Sequence, residues 1–394
     1  MKHFKLSILA AALIPAAILS SCGPKTLSDK DILTLVYQQA GGEGWDESDK
    51  EGWLSDNLAD WSNVTVNDEG RVTELKLQDP KGMIPAEIGG LTELKKLTIY
   101  MRNKKGEDPE SCIPGTISEL KNLESLIITC SVPCTAPSLA EMSGLRTLSL
   151  RCPKSAYPEI GGRDLTEITL NDFNGAIPES IYEMKDLKKL VINPNELDGG
   201  ISPKIGQLTN LEHLQIDFSQ FIGSVDVPEA SLPEEIFSLT NLKYLFLRGV
   251  ATTGKIPASV GGLTNIKSMI LTNLGLYGEL PKELGDLPNI ETLEIYNNKI
   301  EGKIPVELFK ATTLRQLWLD HNLLSGTIPA EIGNLVNLES IQLQCNQLTG
   351  SIPASLAKCT KLGNGVFVDF SKNNFTGDVP AAVKALPKFE KFKF

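Results

Sequence analysis

Histidine is almost missing from this 394-residue chain: His3, His213 and His321 are all there is. Neither His213 nor His321 stands in a His/Cys set at metal-ligand spacing. Glycine is plentiful, yet it builds no phosphate-cradling loop, and the Gly-x-Ser-x-Gly nucleophile turn is missing. These absences point away from an enzyme, and no cofactor or metal is expected. After Leu19 no apolar run is long enough to cross a bilayer. Long runs of one charge sign are missing too, so there is no acidic or basic tail. The 38 basic and 49 acidic residues leave a net charge of −11, which opposes phosphate backbones and excludes nucleic acid as a natural partner. What remains, 41% hydrophobic residues and an ordinary charged fraction, is ample for a core.

The first residues form a targeting segment. Lys2, His3 and Lys5 precede Leu6 to Leu19, a stretch apolar except for Ser7 and short for a membrane helix, so it reads as a signal peptide. It ends in Leu19-Ser20-Ser21-Cys22-Gly23, which resembles the lipobox of bacterial lipoproteins. That resemblance implies cleavage before Cys22 and acylation of its thiol and amino group, a multi-chain anchor that holds stably to a membrane. The expected localisation is the cell envelope, lipid-anchored to a bacterial outer membrane with no membrane contact beyond the anchor; the sequence leaves a periplasmic or an outward-facing orientation open.

Internal repetition dominates the remainder. Leu239-Thr-Asn-Leu242-Lys-Tyr-Leu245-Phe-Leu247 recurs as Leu263–Leu271, Leu287–Ile295 and Leu335–Leu343, followed by steps such as Gly326-Thr-Ile328-Pro329. The first apolar residue of each short strand falls at Leu75, Leu97, Leu126, Leu148, Ile168, Leu190, Leu214, Leu245, Met269, Leu293, Leu317, Ile341, Val368 and Phe392. The spacing settles at 24 residues in the C-terminal half, and insertions fall near 103–111, 225–231 and 363–365. In each Leu-x-Leu the two Leu point one way and their neighbours the other. One unit cannot bury its own Leu face, but units stacked about 4.8 Å apart can. An Asn able to satisfy backbone groups follows the strand at Asn195, Asn298, Asn322, Asn346 and Asn373. It is replaced by Arg102, Ser131, Pro153, Phe173, Ser219, Val250 and Leu274.

The pattern resembles the plant-specific leucine-rich repeat of receptor-kinase ectodomains and polygalacturonase-inhibiting proteins, also found in bacterial surface lipoproteins. The resemblance covers about residues 70–394 and is most specific over 239–358. It implies an α/β repeat solenoid: a curved right-handed coil with a concave parallel sheet of about 14 strands and a helical N-terminal cap. The chain then divides into signal peptide 1–21, tether 22–26, cap 27–70 and solenoid 71–394. Within the cap, Ser28-Asp29 opens a helix that ends before Gly41-Gly42. Trp45, Trp53 and Trp61 follow; covering the first coil's core is favoured over a carbohydrate platform. Val64–Val66 and Arg71–Leu77 read as a hairpin. At the other end, Phe389, Phe392 and Phe394 fit the strand template with Phe for Leu, so a last strand edged by Lys391 and Lys393 is expected.

Six cysteines remain besides Cys22. Cys130 and Cys152 hold the same position in adjacent repeats, within disulfide reach. Cys112 and Cys134 offer a second bridge, and Cys130–Cys134 competes with the first. Free buried thiols are the other reading. Cys359 stands where other repeats have Leu and reads as core filler; Cys345 lacks a stacked partner.

The scaffold itself names no ligand. Outward strand positions concentrate large aromatics and Arg between residues 244 and 320, the types that dominate binding hot spots and stack on sugars. The expected ligand-binding set is His213, Asp217, Tyr244, Phe246, Arg248, Glu294, Tyr296, Trp318 and Asp320, with Phe246 and Trp318 foremost. Cross-strand packing is the bland alternative for some of them. The favoured reading is a monomeric surface protein that binds a protein ligand; the alternative is glycan capture. A eukaryotic receptor fragment, glycosylated at Asn63 and Asn374, is a third reading that the lipobox opposes.

Overall fold

The computed structural model describes residues 27–102, 113–218, 230–249, 252–365 and 367–394. The cap starts with α1, Asp29–Gln39, whose N-terminus is closed reciprocally by Ser28 and Asp31. Its apolar stripe, Ile32, Leu33 and Val36, is buried. Trp45, Trp53 and Trp61 are buried as well, with successive rings 5.0 and 4.9 Å apart. Each indole N–H donates to a backbone carbonyl, of Ala40, Ser62 and Ser55 respectively. The trio is core, as favoured from the sequence.

Among the described residues the concave sheet has 14 strands in chain order. They are β1 Val64–Val66, β2 Val72–Gln78, β3 Lys96–Met101, β4 Ser125–Cys130, β5 Thr147–Arg151, β6 Glu167–Asn171 and β7 Lys189–Asn193. The row continues with β8 His213–Asp217, β9 Tyr244–Arg248, β10 Ser268–Thr272, β11 Thr292–Glu294, β12 Gln316–Trp318, β13 Ser340–Gln342 and β14 Val368–Asp369. The pair β1–β2 is the antiparallel hairpin; all other pairs are parallel. Every first apolar residue from Leu75 to Val368 pairs with its counterpart one coil on, so the expected register holds throughout. These side chains form one continuous buried column, each worth about 1.5–3 kcal/mol over exposure.

The expected last strand at Phe392 is corrected. Phe389–Lys391 is a 3-10 turn, and only a single bridge joins Asp369 to Lys393. Lys388 in a left-handed conformation turns the chain, and Phe394 stacks on Phe370 with centroids 5.4 Å apart. Phe389 and Phe392 pack against the core column from outside, whereas Phe370 fills a Leu slot of the last coil and is fully buried. The sheet still counts fourteen strands, because β1 takes the place assigned to Phe392.

On the convex side, most coils carry a 3-10 turn that starts straight after the Ile-Pro or Leu-Pro step, such as Val306–Lys310 after Pro305 and Ala330–Asn334 after Pro329. Proline suits that entry because its φ is already fixed and it has no N–H to leave unpaired. A second parallel sheet of five short strands, from Tyr277–Glu279 to Asn374–Phe375, runs along the C-terminal coils. Gly326 and Gly350 sit in it with φ of 74° and 75°, a conformation other residues rarely adopt.

The Asn ladder is real where the sequence keeps it. Asn322 donates to the Ile295 carbonyl one coil back at 2.7 Å and accepts from the Ile300 N–H at 3.1 Å. Asn298, Asn346 and Asn373 repeat this. Asn195 departs from it, donating to Asn174 Oδ1 instead. Where Phe173 and Leu274 replace Asn, they are buried as apolar filling. A second ladder escaped the sequence reading. Asn241, Asn265, Asn289 and Asn337 each donate to a Thr carbonyl one coil back, at 2.8–3.0 Å.

Candidate functional site

Parallel registration turns scattered sequence positions into rows across the concave face. One row reads Gln215, Phe246, Ile270, Glu294, Trp318, Gln342 and Asp369. A neighbouring row starts His213, Tyr244, Ser268, Thr292, Gln316. The nine residues expected to bind ligand therefore fall on four coils, those of β8, β9, β11 and β12, with β10 between them contributing none. Tyr296 and Asp320 lie just past the ends of β11 and β12.

Their contacts differ from a simple exposed cluster. Arg248 grips Asp217 through two hydrogen bonds of 3.0 Å while its guanidinium lies 5.5 Å from the centre of the Phe246 ring. His213 leans on Tyr244, with centroids 5.6 Å apart. Trp318 is half-buried between Tyr296 and Phe367, and its indole N–H donates to Ser340 Oγ at 3.0 Å. The lateral packing weighed for such residues thus applies to Trp318. Its N–H is already engaged, and what it offers a ligand is ring surface. Tyr244, 44% exposed, is the most open aromatic of the nine expected residues.

The carboxylates are the unexpected part. Glu294 and Asp320 are 8% and 6% exposed, although both occupy outward positions of an open sheet. Gln316 Nε2 donates to Glu294 Oε1 at 2.6 Å, and His321 Nδ1 lies 2.8 Å from Asp320 Oδ2. Burial, reinforced by Asp320, pushes the Glu294 carboxyl up to about 7 against the pull of Arg248. Burial also raises Asp320, opposed by His321. Burial and the positive charge of Lys189 lower His213.

Among the cysteines, Cys359 is buried core, and burial pushes its thiol up to about 11. Cys130, Cys134 and Cys152 are free thiols whose Sγ atoms all lie within 4.8 Å of one another. The two rival pairings read from the sequence share Cys130, and folding brings all three together. Cys134, the least buried, is lowered by the Cys130 and Cys152 thiols turned towards it. Cys22 and Cys112 lie outside the described residues, as do the expected insertion at 103–111 and most of that at 225–231.

The fold is that of a leucine-rich-repeat solenoid. The model of the Leucine Rich Repeat family matches residues 313–335 and 337–359. In sequence, the chain is 24% identical over 162 residues to the adenylate cyclase of Schizosaccharomyces pombe, a stretch covering 41% of this chain and 9% of that protein. The structure is similar to that of PEPR1–AtPEP1, with a TM-score of 0.67 and 22% identity, over 93% of this chain and 54% of the other. It is similar to the plant peptide hormone receptor RGFR1 in complex with RGF2, with a TM-score of 0.53 and 26% identity, over 78% and 56%. It is also similar to an internalin of Listeria monocytogenes, with a TM-score of 0.65 and 19% identity, over 92% and 97%. The chain spans little more than half the length of the first two of these structures.

Proposed function

We propose that this is a non-catalytic, monomeric binding protein of the cell envelope, lipid-anchored at Cys22 to a bacterial outer membrane. Its ligand is a protein or peptide that lies across the concave face from His213 to Asp320. One observation carries this reading: Glu294 and Asp320 are withdrawn from water on an open sheet, with Ile270 and Trp318 on either side of Glu294 and Tyr296 against Trp318. A buried carboxylate is costly unless paired: Asp320 has His321 Nδ1 at 2.8 Å, whereas Glu294 meets the neutral amide of Gln316, and the guanidinium of Arg248 is bound to Asp217. A Lys or Arg side chain of a ligand would supply the missing charge, while the rings take up its apolar stem. The likeness to RGFR1, solved with RGF2, supports a peptide as occupant.

The test is selection of a displayed random-peptide library on the lipid-free mature chain, beside a glycan array. Enrichment of Lys- or Arg-bearing peptides, lost in the double variant Glu294→Gln, Asp320→Asn, is the expected result. Glycan binding that survives this double substitution, with no peptide enriched, would replace the reading by glycan capture.

A further inference from the structure

The Asn ladder fails in the coils around β4 and β5, where Ser131 and Pro153 hold its positions. In those coils the residues just before them are Cys130, the last of β4, and Cys152, one past β5; both are fully buried and follow the paired Thr129 and Arg151. The turn through Pro133 brings a third cysteine, Cys134, back onto them, so that three Sγ atoms form a triangle with no side above 4.8 Å. A disulfide joins only two sulfurs and leaves the third against it. A thiophilic cation uses all three. With metal–sulfur bonds of about 2.3 Å, tetrahedral thiolates stand about 3.8 Å apart, a small side-chain adjustment from this triangle.

We propose that Cys130, Cys134 and Cys152 form a three-thiolate site for a d10 cation of the Zn2+ and Cu+ class, cross-linking two coils that lack the Asn amide. On binding, each S–H bond breaks, its proton passes to solvent, and the sulfur keeps the electron pair that becomes the metal bond; no oxidant or reductant takes part. Access exists: Cys134 is half-buried and lines a surface cleft of about 480 Å³ with Lys154 and Tyr157. Through that cleft a fourth ligand, water or a small molecule, reaches the ion. Soft thiolate donors without histidine or carboxylate select this class over Mg2+ or Ca2+.

The full chain, purified reduced and without oxygen, is stripped with a chelator and titrated with Cd2+ as spectroscopic probe, then with Zn2+ in competition with a chromophoric chelator. The expected result is a thiolate-to-metal absorption in the ultraviolet that saturates at one Cd2+ per chain, displacement of Cd2+ by Cu+, and Zn2+ binding that competes with the chelator at one ion per chain. Cys134→Ser, at a half-buried position, should keep its circular dichroism and weaken binding by more than about 10-fold. Cys345→Ser should change nothing. The proposal is overturned if no stoichiometric absorption develops, if Cys134→Ser binds as the parent does, or if the chain isolated from its envelope carries a disulfide between two of the three.

Discussion

Replacing Glu294 by Gln should stabilise the chain at alkaline pH and leave it unchanged at acidic pH. The Glu294 carboxyl titrates at about 7 in the folded chain against an ordinary 4.5. Between those values the folded state holds a proton that the unfolded state has released. The stability linked to that proton is fully present below pH 4.5 and is lost as pH rises through 7. The displacement corresponds to at most about 3 kcal/mol, and relaxation of polar neighbours around the ion reduces this to about 1–2 kcal/mol. Gln keeps the volume and the oxygen that accepts from Gln316 Nε2 at 2.6 Å, so packing is preserved. It removes only the ionisation.

Urea unfolding of parent and variant, read by circular dichroism and tryptophan fluorescence, measures the difference. Two probes are needed because coils of a solenoid can unfold in sections. At about pH 4.5 the two proteins should agree within about 0.5 kcal/mol, and at about pH 8.5 the variant should exceed the parent by about 1–2 kcal/mol. Asp320, raised in the same direction, keeps part of the slope in the variant. Identical pH profiles would show that Glu294 ionises freely, and the case for a buried carboxylate awaiting a cation would fall with it. A fold that tolerates such a charge where Gln would be more stable has it for a reason other than stability.

Asn322→Ala removes an amide bonded to the Ile295, Leu319 and Asp320 carbonyls and to the Ile300 N–H, and should cost about 2–4 kcal/mol in chemical denaturation. Asn195→Ala, which loses a single bond to Asn174, should cost about 1 kcal/mol or less in the same assay. Tyr244→Ala should alter stability by no more than about 0.5 kcal/mol yet weaken a selected peptide, because nearly half of the ring's surface is open. Trp318→Ala should do both, losing about 1–3 kcal/mol of stability with its contacts to Tyr296 and Phe367, in addition to affinity.

What the sequence revealed and what it hid divide along one physical line. A strand's period of two and a coil of nearly fixed length are local properties, so Leu75 to Val368 could be placed in register with no knowledge of space. At Phe392 the template gave the register, with Lys393 bridged to Asp369, but not the 3-10 turn of Phe389–Lys391 that left-handed Lys388 sets up in place of a full strand. Position in the strand also identified Glu294 and Asp320 as facing outward. Their burial depends on neighbours from other coils, so outward did not mean exposed. The repeated Leu-Thr-Asn-Leu carried a visible Asn, but its partner is a carbonyl one coil back, beyond the reach of a pattern within one repeat. The cysteines show the limit most sharply. Stacking Cys130 on Cys152 follows from the period alone, whereas the return of Cys134 depends on an irregular turn. Chemistry on a solenoid arises where such turns interrupt the period, so that is where a repeat sequence is least legible and most worth probing.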